Sequence, residues 1–148
     1  MDFFERWFKC FGDGLEKLDC DERGRLFSVC AAACAKDALK HLYCDLFNRC
    51  DGNLDLFFSR LHEVKNVDGT VIERGRVYEL MFLECGCDLH TRANVSTPKL
   101  CECSRQSIIA EFRKLLPRQD FVVEERETIL GGSSRCCFRI SRVEEGVK

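Results

Sequence analysis

The sequence predicts an α+β domain, with N-terminal helices packed on an antiparallel sheet made of two hairpins with a helix between them. Three observations carry this. Up to about residue 65, apolar residues recur at helical spacing. From residue 66 onward, runs rich in strand-favouring residues flank glycine-containing turns. One further helix-periodic stretch, 104–116, separates the two pairs of strands. The 148 residues suit a single domain, divided into a helical part (1–65), a hairpin–helix–hairpin part (66–142) and a polar tail (143–148).

Each element has its own signal. Phe3, Phe4, Trp7, Phe8 and Phe11 form one apolar stripe of a first helix, which Gly12 and Gly14 are expected to break. Asp21 is placed to cap a second helix running to about Asn48, rich in the strong helix former alanine. Asp51-Gly52 is a turn. Asn53 then caps a third helix, with Leu54, Phe57, Phe58, Leu61 and Val64 on one face. Asn66-Val67-Asp68-Gly69 reads as a turn, Thr70 to Glu73 as a strand, and Arg74-Gly75 as a second turn leading into a strand from Val77 to Cys87. The polar stretch from Asp88 to Leu100 reads as a loop. Ser104 caps the helix that carries Ile108, Ile109, Phe112, Leu115 and Leu116, and Pro117 lies just past its end. Phe121 to Leu130 and Arg135 to Ser141 form the last hairpin around Gly131-Gly132-Ser133-Ser134.

Composition narrows the function. Hydrophobic residues are 45% and charged residues 32%, a globular balance. A net charge of −2 argues against a cationic nucleic-acid binder. No run of about 18 apolar residues is present to insert into a membrane. The acidic, charge-broken start from Met1 to Trp7 is unlike a secretory signal, so a reducing cytoplasmic setting is expected for the 12 cysteines. With 12 Phe and only 2 Pro, the core does not depend on disulfide staples.

The cysteines fall into constellations. Cys85-Gly86-Cys87 and Cys101-Glu102-Cys103 are two Cys-x-Cys pairs. On a strand, residues two apart share a face, so Cys85 and Cys87 project together. If the intervening loop folds back, Cys101 and Cys103 can meet them as a four-thiolate Zn²⁺ site. Such sites prefer two to four residues between paired ligands, and the other readings are plain thiols on the inner sheet face or a site open to substrate. Cys30, Cys34 and His41 fall within a helical sector of about 40°, with Asp37 on the same flank. A Cys-His pair so placed can activate a thiolate or ligate a metal, although packing beside the alanines accounts for it more simply. Cys136, Phe138 and Ile140 share one face of the last strand if Ile140 points inward, which sends Cys137 outward with Arg135 and Arg139. His90 is a better ligand candidate than His62. Gly131-Gly132 lacks the following helix that a phosphate loop requires, and the common hydrolase motifs are absent.

The stretches Tyr78-Glu79-Leu80, Cys85-Gly86-Cys87 and Pro98 to Ser104 resemble a family of bacterial and archaeal cysteine-rich proteins. The ending, Val122 to Gly132 followed by Cys136-Cys137-Phe138-Arg139-Ile140, is similar to the close of the 4-vinyl reductase domain and of the L-2-amino-thiazoline-4-carboxylic acid hydrolase-like family. The resemblance covers about half the chain, residues 64–140. It implies an α+β domain that holds a small ligand between helices and a sheet, sometimes near a metal, but it assigns no catalytic residue.

Three functional readings follow. The first is a cytosolic small-ligand-binding domain with a cysteine-lined pocket and a possible Zn site at Cys85, Cys87, Cys101 and Cys103. The second is a thiol-dependent hydrolase of a small cyclic or amide substrate, with Cys34 beside His41, or Cys136, as nucleophile. The third is a redox protein that cycles the Cys-x-Cys pairs between dithiol and disulfide.

Overall fold

The computed structural model describes residues 2–34 and 38–143, without the side chains of 32, 34 and 38–41. Its helices are α1 (Phe3–Lys17), α2 (Cys20–Cys34), α3 (Ala38–Arg49), α4 (Leu54–Ser59), α5 (Asp88–Thr91) and α6 (Glu102–Leu115). Its strands are β1 (Val67–Glu73), β2 (Val77–Phe82), β3 (Phe121–Glu127) and β4 (Cys136–Arg142). They form one antiparallel sheet in the order β1-β2-β4-β3. The two hairpins therefore join through their second strands, and α5 and α6 lie in the connection between them. This is the α+β architecture expected from the sequence.

Local chemistry explains most element ends. Asp2 caps α1 by accepting the Glu5 amide at 2.8 Å. The helix continues through both glycines because it is held from outside: a Cβ on Gly12 would already touch Val95 Cγ1 at 3.4 Å, so the small residue allows close approach. A capping box starts α2, and its cap is Asp19 rather than Asp21. Asp19 Oδ1 accepts the Glu22 amide at 2.8 Å, and the Glu22 carboxylate accepts the Asp19 amide at 3.0 Å. The expected long second helix is described as α2 and α3, with residues 35–37 outside the described chain. Asn53 caps α4 as expected, accepting the Leu56 amide at 3.1 Å. Leu54, Phe57, Phe58, Leu61 and Val64 are all buried.

The strands differ from expectation at their margins. Strand β1 begins at Val67, inside the expected turn, because Asn66 makes the reversal with a φ of 62°. Strand β2 stops at Phe82 and β3 at Glu127, both short of the expected ends. The expected loop 88–100 contains α5 and a 3-10 turn over Pro98–Cys101. Helix α6 begins at Glu102, two residues before the expected Ser104 cap. Both edge strands carry an irregularity, between Val71 and Glu73 in β1 and between Glu125 and Glu127 in β3. Residues 144–148 of the expected polar tail lie outside the described residues.

There are two cores. The larger joins the inner sheet face to α3, α4 and α6, with Phe58 stacked on Tyr78 at a ring-centroid distance of 4.4 Å and on Phe112 at 5.8 Å. The smaller gathers Leu15 and Phe27 of α1 and α2 with Ala93, Val95, Leu100 and Cys103. Helix α2 lies along α6, which links the two.

Candidate functional site: a cysteine-walled cavity between two cores

The register of the sheet determines where the cysteines meet. Phe82, the last residue of β2, pairs with Cys136, the first of β4. The chain leaving β2 with Cys85-Gly86-Cys87 therefore emerges beside the start of β4. Asn66 anchors that exit, its carbonyl accepting the Leu83 amide at 2.9 Å and its Nδ2 donating to Glu84 Oε2 at 3.1 Å. Cys87 then stands before α5, its carbonyl accepting the His90 and Thr91 amides. The return to α6 runs through a turn whose Lys99 amide donates to the Thr97 hydroxyl. This turn buries Leu100 and Cys101 and places Cys103 in the first turn of α6.

Five cysteines consequently wall one cavity of about 560 Å³: Cys85, Cys87, Cys101, Cys103 and Cys136. Its floor is the inner sheet face at Leu80 and Phe82, and its roof is the α6 face bearing Ser104, Ser107, Ile108 and Glu111. Tyr43 and Phe57 also line it, and the exposed polar residues Lys65, Asn66 and Glu84 stand at its rim. The cavity draws walls from both cores and occupies the seam between them.

The electrostatics of the thiols are those of burial. Desolvation pushes the Cys101 thiol up to about 12, opposed by a hydrogen bond from the Thr128 hydroxyl. Desolvation also raises Cys136, against the Ile129 amide that donates to its sulfur at 3.3 Å. Cys136 and Cys85 also raise Cys101 as like charges, and Cys85 raises Cys136 in the same way. At neutral pH Cys101 and Cys136 are thiols rather than thiolates, so they are weak nucleophiles.

The structure brings all four expected metal candidates to one cavity, by a different route from the one expected. Cys85 and Cys87 are not on a strand, because β2 ends at Phe82. Among the described residues, no three His, Cys, Asp or Glu are placed to hold a metal ion. The thiols share a wall without converging on a point, and this arrangement does not fit a closed tetrahedral Zn²⁺ site. His90 is used structurally: its Nδ1 lies 2.9 Å from the Val95 carbonyl and folds the α5 loop onto the smaller core. Cys34 closes α2 and His41 falls in the first turn of α3, but their side chains lie outside the described residues. Asp37 also lies outside them. Cys136 faces inward with Phe138 and Ile140. Cys137 is on the opposite face but buried, beside the Glu79–Arg139 ion pair, instead of extending into solvent. Tyr43, Glu111, Ser104 and Ser107 were not anticipated. The available signal was the polar stripe Ser104, Ser107, Glu111 interleaved at three- and four-residue spacing with the apolar face of α6.

No family model, curated protein or solved structure matches the chain.

Proposed function

We propose that this protein is a cytosolic small-ligand-binding domain, and that its ligand sits in the cysteine-walled cavity between α6 and the inner sheet face. The observation that carries this is the cavity itself. Interiors are normally close-packed, with few voids larger than a water molecule, whereas about 560 Å³ lies open here between two well-packed cores. That volume falls in the usual range for small-molecule sites, and its wall is mostly apolar with a few polar groups, as such sites require. The resemblance to 4-vinyl reductase-like domains, which implies a ligand between helices and a sheet, points the same way. The thiols act as soft apolar wall. The raised pKa of Cys136 speaks against a thiolate hydrolase centred there, and no step through a metal is assigned.

The test is thermal denaturation with a panel of neutral apolar compounds. A ligand at 100 times its Kd should stabilise the folded protein by about 2.7 kcal/mol. The same ligand should give no shift in Ser107→Trp or Ser104→Phe, either of which fills the cavity from α6. Absence of any shift across the panel, or an equal shift in both filled variants, would remove the reading. The second outcome would place binding on an exposed surface such as Phe3, Phe4 and Trp7 of α1.

A further inference from the structure

We propose that α1 is an interfacial anchor, whose exposed aromatic strip of Phe3, Phe4 and Trp7, flanked by Arg6 and Lys17, docks the protein on an anionic lipid surface. The inference does not rest on the cavity, whose wall contains no residue of α1.

Phe3, Phe4 and Trp7 are 71%, 52% and 53% exposed, and the Trp7 ring stacks on Phe11 at a centroid distance of 5.9 Å. The strip is continuous: at about 100° per residue, Phe3, Phe4 and Phe11 all fall within about 60° of Trp7. It is not the face that holds the helix to the protein. The buried residues of α1, Gly12 and Leu15, lie to one side, about 80–140° round from Trp7. On the other side the first charges met are Lys17 and Arg6, at about 80° and 100°, both exposed, with Asp13 beyond them at about 120°. Glu5 and Glu16 fall about 160–180° away, and Glu16 accepts the Thr97 hydroxyl there.

This order of residues selects the occupant. A helix lying in the headgroup plane presents Trp and Phe to the acyl boundary and Lys or Arg to the headgroups. Tryptophan suits that boundary, because its ring is apolar while its indole N–H stays wet. Arg6 and Lys17 complement an anionic surface, which attracts basic residues within a Debye length. A second copy of the chain fits less well. The three exposed rings offer on the order of 400 Å², against the roughly 800 Å² that each partner of a stable interface covers. A twofold axis would also bring the Arg6 and Lys17 pairs of both copies together. The helix would lie along the surface, since no helix among the described residues is long and apolar enough to cross a membrane. It is capped by Asp2 and held by the close approach of Val95 to Gly12, so docking does not have to fold it.

The experiment uses the full chain and phosphatidylcholine vesicles with or without phosphatidylserine. Trp7 is the only tryptophan, so its emission reports on this strip alone. We expect co-sedimentation with the phosphatidylserine vesicles, a blue shift of the emission, and release at raised salt. Arg6→Gln with Lys17→Gln should weaken partitioning onto those vesicles roughly tenfold and leave the melting temperature unchanged, since both side chains are exposed. Phe3→Ser should weaken it too, with Trp7 still present to be read. Protein that stays in the supernatant, binds neutral vesicles equally well, or co-sediments without an emission shift would overturn the inference, as would full binding by either variant. A dimer in sedimentation equilibrium that Phe3→Ser dissolves, with no vesicle binding, would overturn it in favour of a second copy as the occupant.

Discussion

The Tyr78 hydroxyl donates to Asp55 Oδ1 at 2.7 Å, and the same oxygen accepts the Gly75 amide at 2.8 Å. One carboxylate thus ties the first turn of α4 to the middle of the sheet and to the β1–β2 turn. These bonds hold the Asp55 carboxyl below its ordinary range. A depressed folded-state pKa contributes stability that is fully present above the unfolded value, about 3.9, and lost as pH falls through the folded one. Asp55→Ala should therefore destabilise the protein by about 2 kcal/mol at neutral pH. The difference from wild type should shrink below about pH 4, as read by urea denaturation at both pH values.

Gly69 sets how closely α4 approaches β1. A Cβ there would lie 2.5 Å from the Phe58 carbonyl oxygen and 2.8 Å from Leu61 Cδ1. The first obstacle is backbone and cannot rotate away. Gly69→Ala should cost about 1–3 kcal/mol through displacement of α4. Gly14→Ala, at a helix position where a Cβ meets nothing within 4 Å, should stabilise by about 0.5–1 kcal/mol. Chemical denaturation of the two variants should move in opposite directions; equal effects would show that α4 can shift freely.

The cysteines should separate into two kinetic classes. Cys10, Cys20, Cys30 and Cys44 are exposed, whereas Cys50, Cys101, Cys103, Cys136 and Cys137 are buried. Iodoacetamide followed by peptide mass spectrometry should label the first group completely before the second is touched. At about pH 9 Cys101, with its thiol pushed up to about 12, should still react slowly. Fast selective labelling of Cys136 would instead revive the hydrolase reading.

Because no three cavity thiols converge, a chelator should leave the melting temperature unchanged. If Zn²⁺ copurifies in a one-to-one ratio and is lost in Cys101→Ser, the segment carrying Cys85 and Cys87 must swing to complete a coordination shell absent from this arrangement. Elemental analysis on anaerobically purified protein makes the distinction.

Periodicity was the legible part of this molecule. The stripe Leu54, Phe57, Phe58, Leu61, Val64 was readable as a buried face, but the helix expected to carry all of it ends at Ser59, with Leu61 in a 3-10 turn and Val64 just past it. The alternation Cys136, Phe138, Ile140 was equally readable. Boundaries were harder where tertiary contact overrides local preference. Gly12 did not end α1, because Val95 packs against it. Cys137 was buried although its neighbours are charged, because a paired Glu79 and Arg139 can cover a sheet face. The cavity was half visible. Cysteine spacing singled out four of its walls, but Tyr43 reaches it from α3, through a crossing of helices that no local pattern encodes.

The position of the cavity along the seam between the two cores has a consequence for cooperativity. An unfilled seam leaves the lobe of α1, α2 and α5 joined to the sheet lobe mainly through α2 on α6, so the smaller lobe can open as a unit of its own, below the global unfolding free energy. A bound molecule touching both sides makes that opening forfeit its contacts as well. Amide exchange at Phe27 and Val95 would then slow towards the rate at Phe138, and the protein would report occupancy as the merging of two foldons into one.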